Sequence, residues 1–379
     1  MNDNMTYVGL DVHDETIVAV WRRPGFRPKE MVYSNDEKGI ERLVKDIGTK
    51  EIWAVYETSG VGFVLWDTLT RFGWKVDVLA TTRLPQSVKS KKRKTDFEDA
   101  KRLLDLLMAH AVVGAELPNV WVPPKSIRED RQAVRHRLNL GDEAGRVRTK
   151  IKCLLKIHGL KYPGKAGSWT QKYMAWLRGL ATPEAGLAES VWCVLASHLR
   201  QLEMYEDEIK TLDGQLERLS HVKTYEAQVA AVRAIKGFGL LTALAFLLEL
   251  GDVARFKNRG QVGSYVGLTP TSHESGAQTD RKGHVTRMGP AGVRKVLNQA
   301  AWTYLRSNGC ERSWYEQLKY RRGTKRAIVA LMRRMAITAW RLASKVVKAG
   351  DAGPTNPAEQ SGAAAARRAP GLGAPRASA

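Results

Sequence analysis

The chain has 379 residues, enough for two or three domains with cores of their own. Lys and Arg outnumber Asp and Glu by 61 to 39, giving a net charge of +22 and a pI of about 10.0, while the apolar share of 43% is ordinary. That balance predicts attraction to a polyanion. The longest apolar stretch (240–250) is too short to cross a bilayer, and Cys153, Cys193 and Cys310 are too scattered for a disulfide or zinc scaffold, so nucleic acid in a reducing cytoplasm is the expected setting.

TYVGLDVH (6–13) reads as a buried strand ending in Asp11, followed by strands over 15–23 and 29–35. A helix is predicted over 36–48 with Asp36 as its N-cap, then a strand over 51–57 ending in Glu57, a helix over 60–73 and a strand over 74–80. The basic loop KSKKRKT (89–95) runs into a helix that carries Asp96 and Asp99 and extends to about His110. Three strands followed by βα units predict a mixed sheet with helices packed on it, matching the ribonuclease-H-like (RuvC-like) fold. Residues three apart on a helix share a face, so Asp96 and Asp99 can point at one site. A strand-end Asp is usually a turn residue and a helix-start Asp usually a cap. Here Asp11, Glu57, Asp96 and Asp99 occupy four slots that converge in that fold. Carboxylates brought together need a cation between them, and beside a phosphate backbone they form a metal-dependent phosphodiester site.

Residues 115–126 are punctuated by proline and read as a linker. A long helix over 125–160 carries a basic face that includes Arg128, Arg131, Arg135, Arg137, Arg146, Arg148, Lys150 and Lys152. KYPGKAGSWT (161–170) breaks it, and a second long helix over 187–220 shows a heptad seam at Leu202, Tyr205, Ile209, Leu212, Leu216 and Leu219. The pair is expected to form an antiparallel coiled-coil arm that also dimerises. Residues 229–252 read as helix, GFG turn, helix, in the manner of a helix-hairpin-helix DNA-binding segment. The loop beginning at 268 is rich in Gly, Ser and Thr and is lined by Arg281, Lys282, Arg287, Arg294 and Lys295. Ser275 in that loop is the candidate nucleophile, although Ser-Gly is also a common turn dipeptide. Pro290 is placed to open a helix, and a basic amphipathic helix over 313–344 closes the domain. Residues 351–379, built of Ala, Gly, Pro, Ser and a few Arg, are expected to be disordered.

The segments GLDVH (9–13), YETSG (56–60), KTDFEDA (94–100), IKGFGLLTALAFLLELGD (235–252), SYVGLTPTSHESG (264–276) and RRGTKRAIVA (321–330) resemble the DEDD transposases of bacterial insertion sequences, a group that includes the pilin gene invertases. The resemblance implies a RuvC-like domain over 1–112, a linker and coiled-coil arm over 113–228, and a C-terminal transposase domain over 229–350, leaving a tail over 351–379. It further implies DNA strand cleavage and exchange through a phosphoserine at Ser275, assisted by Mg²⁺ on Asp11, Glu57, Asp96 and Asp99. DNA, a structured bridge RNA and a homo-oligomer are the implied partners, with no membrane. Lys89, Lys91, Lys92, Arg93, Lys94, Arg135, Arg281, Arg287 and Arg294 are the expected nucleic-acid contacts. One departure stands out: the family often has Gly-Asn where this chain has Gly289-Pro290, while Arg294 and Leu297 keep the later pattern. The alternatives are a metal-dependent junction-resolving nuclease that uses water, and a non-enzymatic architectural protein.

Overall fold

The computed structural model describes residues 4–58, 60, 62–84, 95–165, 167–272, 282–307 and 311–350, and these form two compact units that divide between Val122 and Pro123. The N-terminal unit is a six-stranded mixed sheet in the order β3-β2-β1-β4-β5-β6. Its strands are β1 (Thr6–Val12), β2 (Thr16–Arg22), β3 (Lys29–Ser34), β4 (Ile52–Glu57), β5 (Lys75–Leu79) and β6 (Asn119–Val120). β1 pairs antiparallel with β2 and parallel with β4, and β4 pairs parallel with β5. The order is compatible with the ribonuclease-H-like arrangement.

Period-two alternation assigns each strand residue to one of two buried faces. Val8, Leu10, Ala54 and Tyr56 meet α1 (Glu37–Ile47) and α2 (Val64–Arg71) on one side. Tyr7 and Val55 meet Leu103, Leu104 and Leu107 of α3 (Asp96–Val113) on the other. Gly9 lies on the α3 side, and a Cβ there would sit 2.1 Å from the carbonyl oxygen of Ala100 and 2.6 Å from the nitrogen of Leu104. This close approach seats α3 directly on β1. The segment expected to be a linker contributes β6, which pairs with β5, and Val122, which is buried in the sheet core. The first unit therefore extends ten residues past the expected boundary at 112.

The second unit is helical. Its long helices α4 (Lys125–Ile157) and α6 (Glu189–Ser220) run antiparallel, since Asp130 pairs with Tyr225, Arg137 with Asp213 and Arg148 with Glu206. Leu202, Leu212 and Leu216 of the seam are buried within the chain. Between the long helices, the stretch after the expected break at 161–170, for which no element was predicted, forms α5 (Gln171–Leu180), whose Tyr173 and Leu177 close a separate core at the far end of the pair. At the near end, Ile127, Val134 and Leu138 of α4 and Leu216 of α6 share a core with α7 (Glu226–Arg233), α8 (Leu240–Leu250), α10 (Ala291–Arg306) and α12 (Thr324–Lys348). The arm and the C-terminal helices, expected as separate domains, thus share one core. α9 (Arg259–Tyr265) and α11 (Arg312–Arg322) complete the helices, and Gly323 at φ 81° splits the single helix expected over 313–344. β7 (Pro270–Ser272) and β8 (Lys282–Val285) pair antiparallel within the stretch expected as loop.

Candidate metal centre and the expected nucleic-acid contacts

Asp11 and Glu57 stand at the ends of adjacent parallel strands. The β1–β4 register pairs Leu10 with Tyr56, so the next residues, Asp11 and Glu57, fall on the same side, the one facing α3. α3 begins at Thr95, whose hydroxyl accepts from the Glu98 amide as an N-cap, and its first turn holds Asp96, Glu98 and Asp99. Acidic side chains suit a helix N-terminus, where the unpaired amides carry partial positive charge. The contact of Gly9 with Ala100 places that acidic turn beside the C-terminal end of β1.

The Nε2 atom of His13 lies 3.2 Å from the Asp11 Oδ2 and 3.7 Å from the Asp96 Oδ1. One ligand atom from each of Asp11, His13 and Asp96 falls within 4.8 Å of the others. Burial pushes the Asp11 carboxyl above the ordinary carboxylate range; His13 opposes this, and the charges of Asp99 and Asp96 add to it. Crowded carboxylates that resist ionisation suit a divalent cation, which would remove their repulsion. The donor set of two carboxylates and an imidazole fits such an ion, held by Asp11, Asp96 and His13. His13 was absent from the expected set; its position two residues after the strand-end aspartate is the signal that could have found it. Asp99 acts electrostatically on Asp11, and Glu57 shares its face of the sheet.

The expected nucleic-acid contacts fare differently. Lys89, Lys91, Lys92, Arg93, Lys94, Ser275 and Arg281 lie outside the described residues. Arg287 is exposed, with a left-handed backbone at φ 54°. Arg294 donates to the carbonyl oxygens of Gly289 at 2.7 Å and Val266 at 3.3 Å, and burial with the neighbouring Arg287 charge lowers its pKa. Gly289 is needed because a Cβ there would lie 2.1 Å from the Tyr265 carbonyl oxygen.

Arg135, expected to contact nucleic acid, is half exposed and held by an acid. Its Nε and Nη2 donate to the two carboxylate oxygens of the buried Glu249 at 2.6 and 2.9 Å. Arg131 donates to the Leu248 carbonyl and lies 3.6 Å from Glu249. Arg137 pairs with Asp213, Arg148 with Glu206 and Arg146 with Glu143. Much of the basic face of α4 is therefore neutralised by acids from α6, α8 and its own helix. Of the two glycines behind the helix-hairpin-helix reading, Gly239 has open space where a Cβ would stand, and Gly237 does not. Gly237 adopts φ 88°, but a Cβ there would lie 2.4 Å from the Ala300 carbonyl oxygen, so α10 occupies the approach.

A mixed sheet with acids gathered at its strand ends and on the helix above them defines the class of divalent-metal enzymes that act on nucleic acids. Residues 8–159 match the DEDD transposase domain of the IS110 group, and residues 229–316 match the transposase domain of the IS116/IS110/IS902 family. The chain carries both domains in order and belongs to that transposase family. The Sinorhizobium fredii protein y4qE, named provisionally as a transposase, is 32% identical over 71% of this chain and 63% of its own length. The transposase for insertion sequence element IS1533 of Leptospira borgpetersenii is 24% identical over 79% of this chain and 85% of its own. The transposase for IS1111A of Coxiella burnetii is 28% identical over 69% and 70%. This chain thus spans a little under two thirds of the first of these relatives and more of the other two.

Proposed function

We propose that this protein is an insertion-sequence transposase that cleaves and rejoins DNA phosphodiesters at the acidic centre, with Mg²⁺ as its working ion. The observation that carries the reading is the meeting of Asp11, His13 and Asp96 at the junction of β1 and α3, inside the region that matches the DEDD transposase domain. Asp11, Asp96, Asp99 and Glu57 would hold the ion, which when bound supplies Lewis-acid stabilisation of charge on the phosphate oxygens. His13, whose Nε2 lies 3.2 Å from the Asp11 Oδ2, would be a further ligand. Arg287 and Arg294, which stand without an acidic partner among the described residues, are the proposed phosphate contacts of the C-terminal domain.

Ser275 is the proposed nucleophile. Its hydroxyl attacks phosphorus, a phosphoserine bond forms as the strand's P–O bond breaks, and the released DNA hydroxyl retains the means to reverse the exchange. The second reading uses water, and the DEDD domain by itself favours it, because an acidic centre can position a water without any residue from 229–316. A bridge RNA and a homo-oligomer are proposed on the family resemblance, and the reducing cytoplasm on the scattered cysteines. Among the described residues no helix is long and apolar enough to cross a membrane.

The test combines purified protein, Mg²⁺, the element's own RNA and labelled element-end DNA, followed by denaturation. Asp11→Asn is expected to abolish cleavage. A protein–DNA adduct lost in Ser275→Ala supports the serine; cleavage that persists in Ser275→Ala without an adduct assigns the attack to water. Cleavage that survives Asp11→Asn would overturn the acidic centre itself.

A further inference from the structure

Between Ala144 and Pro183 the sequence has nine Lys or Arg and no Asp or Glu. The structure folds this stretch into the far end of the α4–α6 pair, with its own core of Ile151, Leu155, Tyr173, Leu177, Leu195 and Leu199. At 1.5 Å per helical residue, the end of α4 at Ile157 lies roughly 28 Å along the axis from Leu138, its last residue in the main helical core. Three of the nine cations are spent on acids from outside the stretch: Arg146 on Glu143, Arg148 on Glu206 and Arg178 on Glu203. The other six, Lys150, Lys152, Lys156, Lys161, Lys165 and Lys172, are exposed and have no acidic partner among the described residues.

The stretch that carries these lysines also holds an aromatic cluster. Tyr162, Trp169, Tyr173 and Trp176 pack edge to face or tilted, with ring centroids 5.3–5.6 Å apart. Trp169 takes a left-handed backbone at φ 69°, which side chains of its size rarely adopt. The turn brings its ring under Lys152 and Arg148, at 5.7 and 5.6 Å. Lys156 follows Lys152 by one helical turn on the same stripe. Lys172 stands in the first turn of α5, whose amide end adds positive potential. Uncompensated like charges on an ordered platform repel one another unless a polyanion is present.

We propose that this arm tip is a nucleic-acid docking site, separate from the acidic centre, that grips the phosphodiester backbone through Lys152, Lys156, Lys161, Lys165 and Lys172. The contact is electrostatic and sequence-independent. Along α4 the unpaired positive charge lies toward the arm tip, because Arg131, Arg135 and Arg137 of the near half are paired to Asp and Glu.

The experiment measures binding of the full chain to a duplex DNA and, separately, to a folded RNA, in EDTA across a salt series. Without metal, cleavage contributes nothing, so failure here leaves the acidic centre untested and intact. The variant is Lys156→Gln, Lys161→Gln, Lys165→Gln and Lys172→Gln together. A matched control carries Lys29→Gln, Lys38→Gln, Lys45→Gln and Lys50→Gln, exposed lysines of the sheet unit. Each lost phosphate contact lowers the log–log salt slope by about 0.9 on duplex DNA and about 0.7 on a single strand, so the tip variant is expected to lose about 3–4 units of slope. A loss confined to the DNA series or to the RNA series names the source of the backbone. Unchanged slopes in both series, or an equal loss in the control, would overturn the proposal. So would binding to anionic lipid vesicles that depends on the four lysines while both nucleic-acid series stay unchanged.

Discussion

The pairing of Glu249 with Arg131 and Arg135 leads to a prediction that separates structural charge from nucleic-acid charge. Glu249 lies in α8 with a side chain only 10% exposed, and Arg131 is 11% exposed, whereas Arg135 is half exposed. Burial, helped by the charges of Arg135 and Arg128, lowers the Arg131 pKa and Glu249 opposes the fall; the hydrogen bonds to Glu249 raise that of Arg135. Glu249→Gln removes the only negative charge in the group and leaves a buried guanidinium uncompensated. Breaking a buried pair from one side costs about 3–5 kcal/mol. For a unit of this size that lowers the melting temperature by roughly 6–20 °C. Arg135→Gln costs less, about 1.5 kcal/mol, because water reaches its guanidinium and Arg131 still faces Glu249. Thermal melts of the two variants give the comparison. Salt-dependent DNA binding by Arg135→Gln gives the functional half, and its slope is expected to match wild type. Equal stability losses, or a slope smaller by about 0.9 in Arg135→Gln, would refute the assignment of Arg135 to the Glu249 pair rather than to nucleic acid.

Asp11→Asn is expected to abolish cleavage while raising the melting temperature in EDTA. The folded Asp11 carboxyl has a raised pKa, so its contribution to stability is fullest below the unfolded value and is lost as pH rises through the folded one. The gap between variant and wild type should therefore widen from acid to neutral pH, and a constant gap would contradict it. Divalent metal at about 100 times its dissociation constant should stabilise the wild type by about 2.7 kcal/mol, seen as a melting shift that Asp96→Asn abolishes. His13→Ala should weaken Mn²⁺ more than Mg²⁺ in that titration, because imidazole is a better ligand for the softer ion. Gly9→Ala forces α3 off β1 at a cost of about 1–3 kcal/mol. It should lose cleavage even where the variant remains folded by circular dichroism, because Asp96 then moves away from Asp11.

Much of the sheet unit was legible because its signals are local. Strand alternation over Thr6–Val12 and Ile52–Glu57, and the three-residue spacing of Asp96 and Asp99 on a helix, fix both the elements and the face on which Asp11, Glu57, Asp96 and Asp99 appear. The elements missed were those whose signal is weak at short range. β6 is two residues long, α5 was hidden behind a glycine- and proline-rich break, and β7 with β8 depends on pairing across a gap in sequence. The split at Gly323 lies between two helical stretches that were read as one, and the turn is marked in sequence only by that single glycine.

The sequence by itself determined the class of site, since residue type and strand or helix position are enough to bring carboxylates to one end of a sheet. It also determined the excess of positive charge. Only the tertiary structure decided where that charge is free. Arg131, Arg135, Arg137 and Arg148 look like one basic face along α4, but their partners lie 58 to 118 residues away on α6 and α8. An ion pair is a fact of distance in space, so a one-dimensional count of charges cannot tell a guanidinium held by a buried carboxylate from a lysine waiting at the tip of an arm. His13 joined the acidic centre for the same reason: β1 and α3 come together through Gly9, and that contact is made only when the sheet and helix pack.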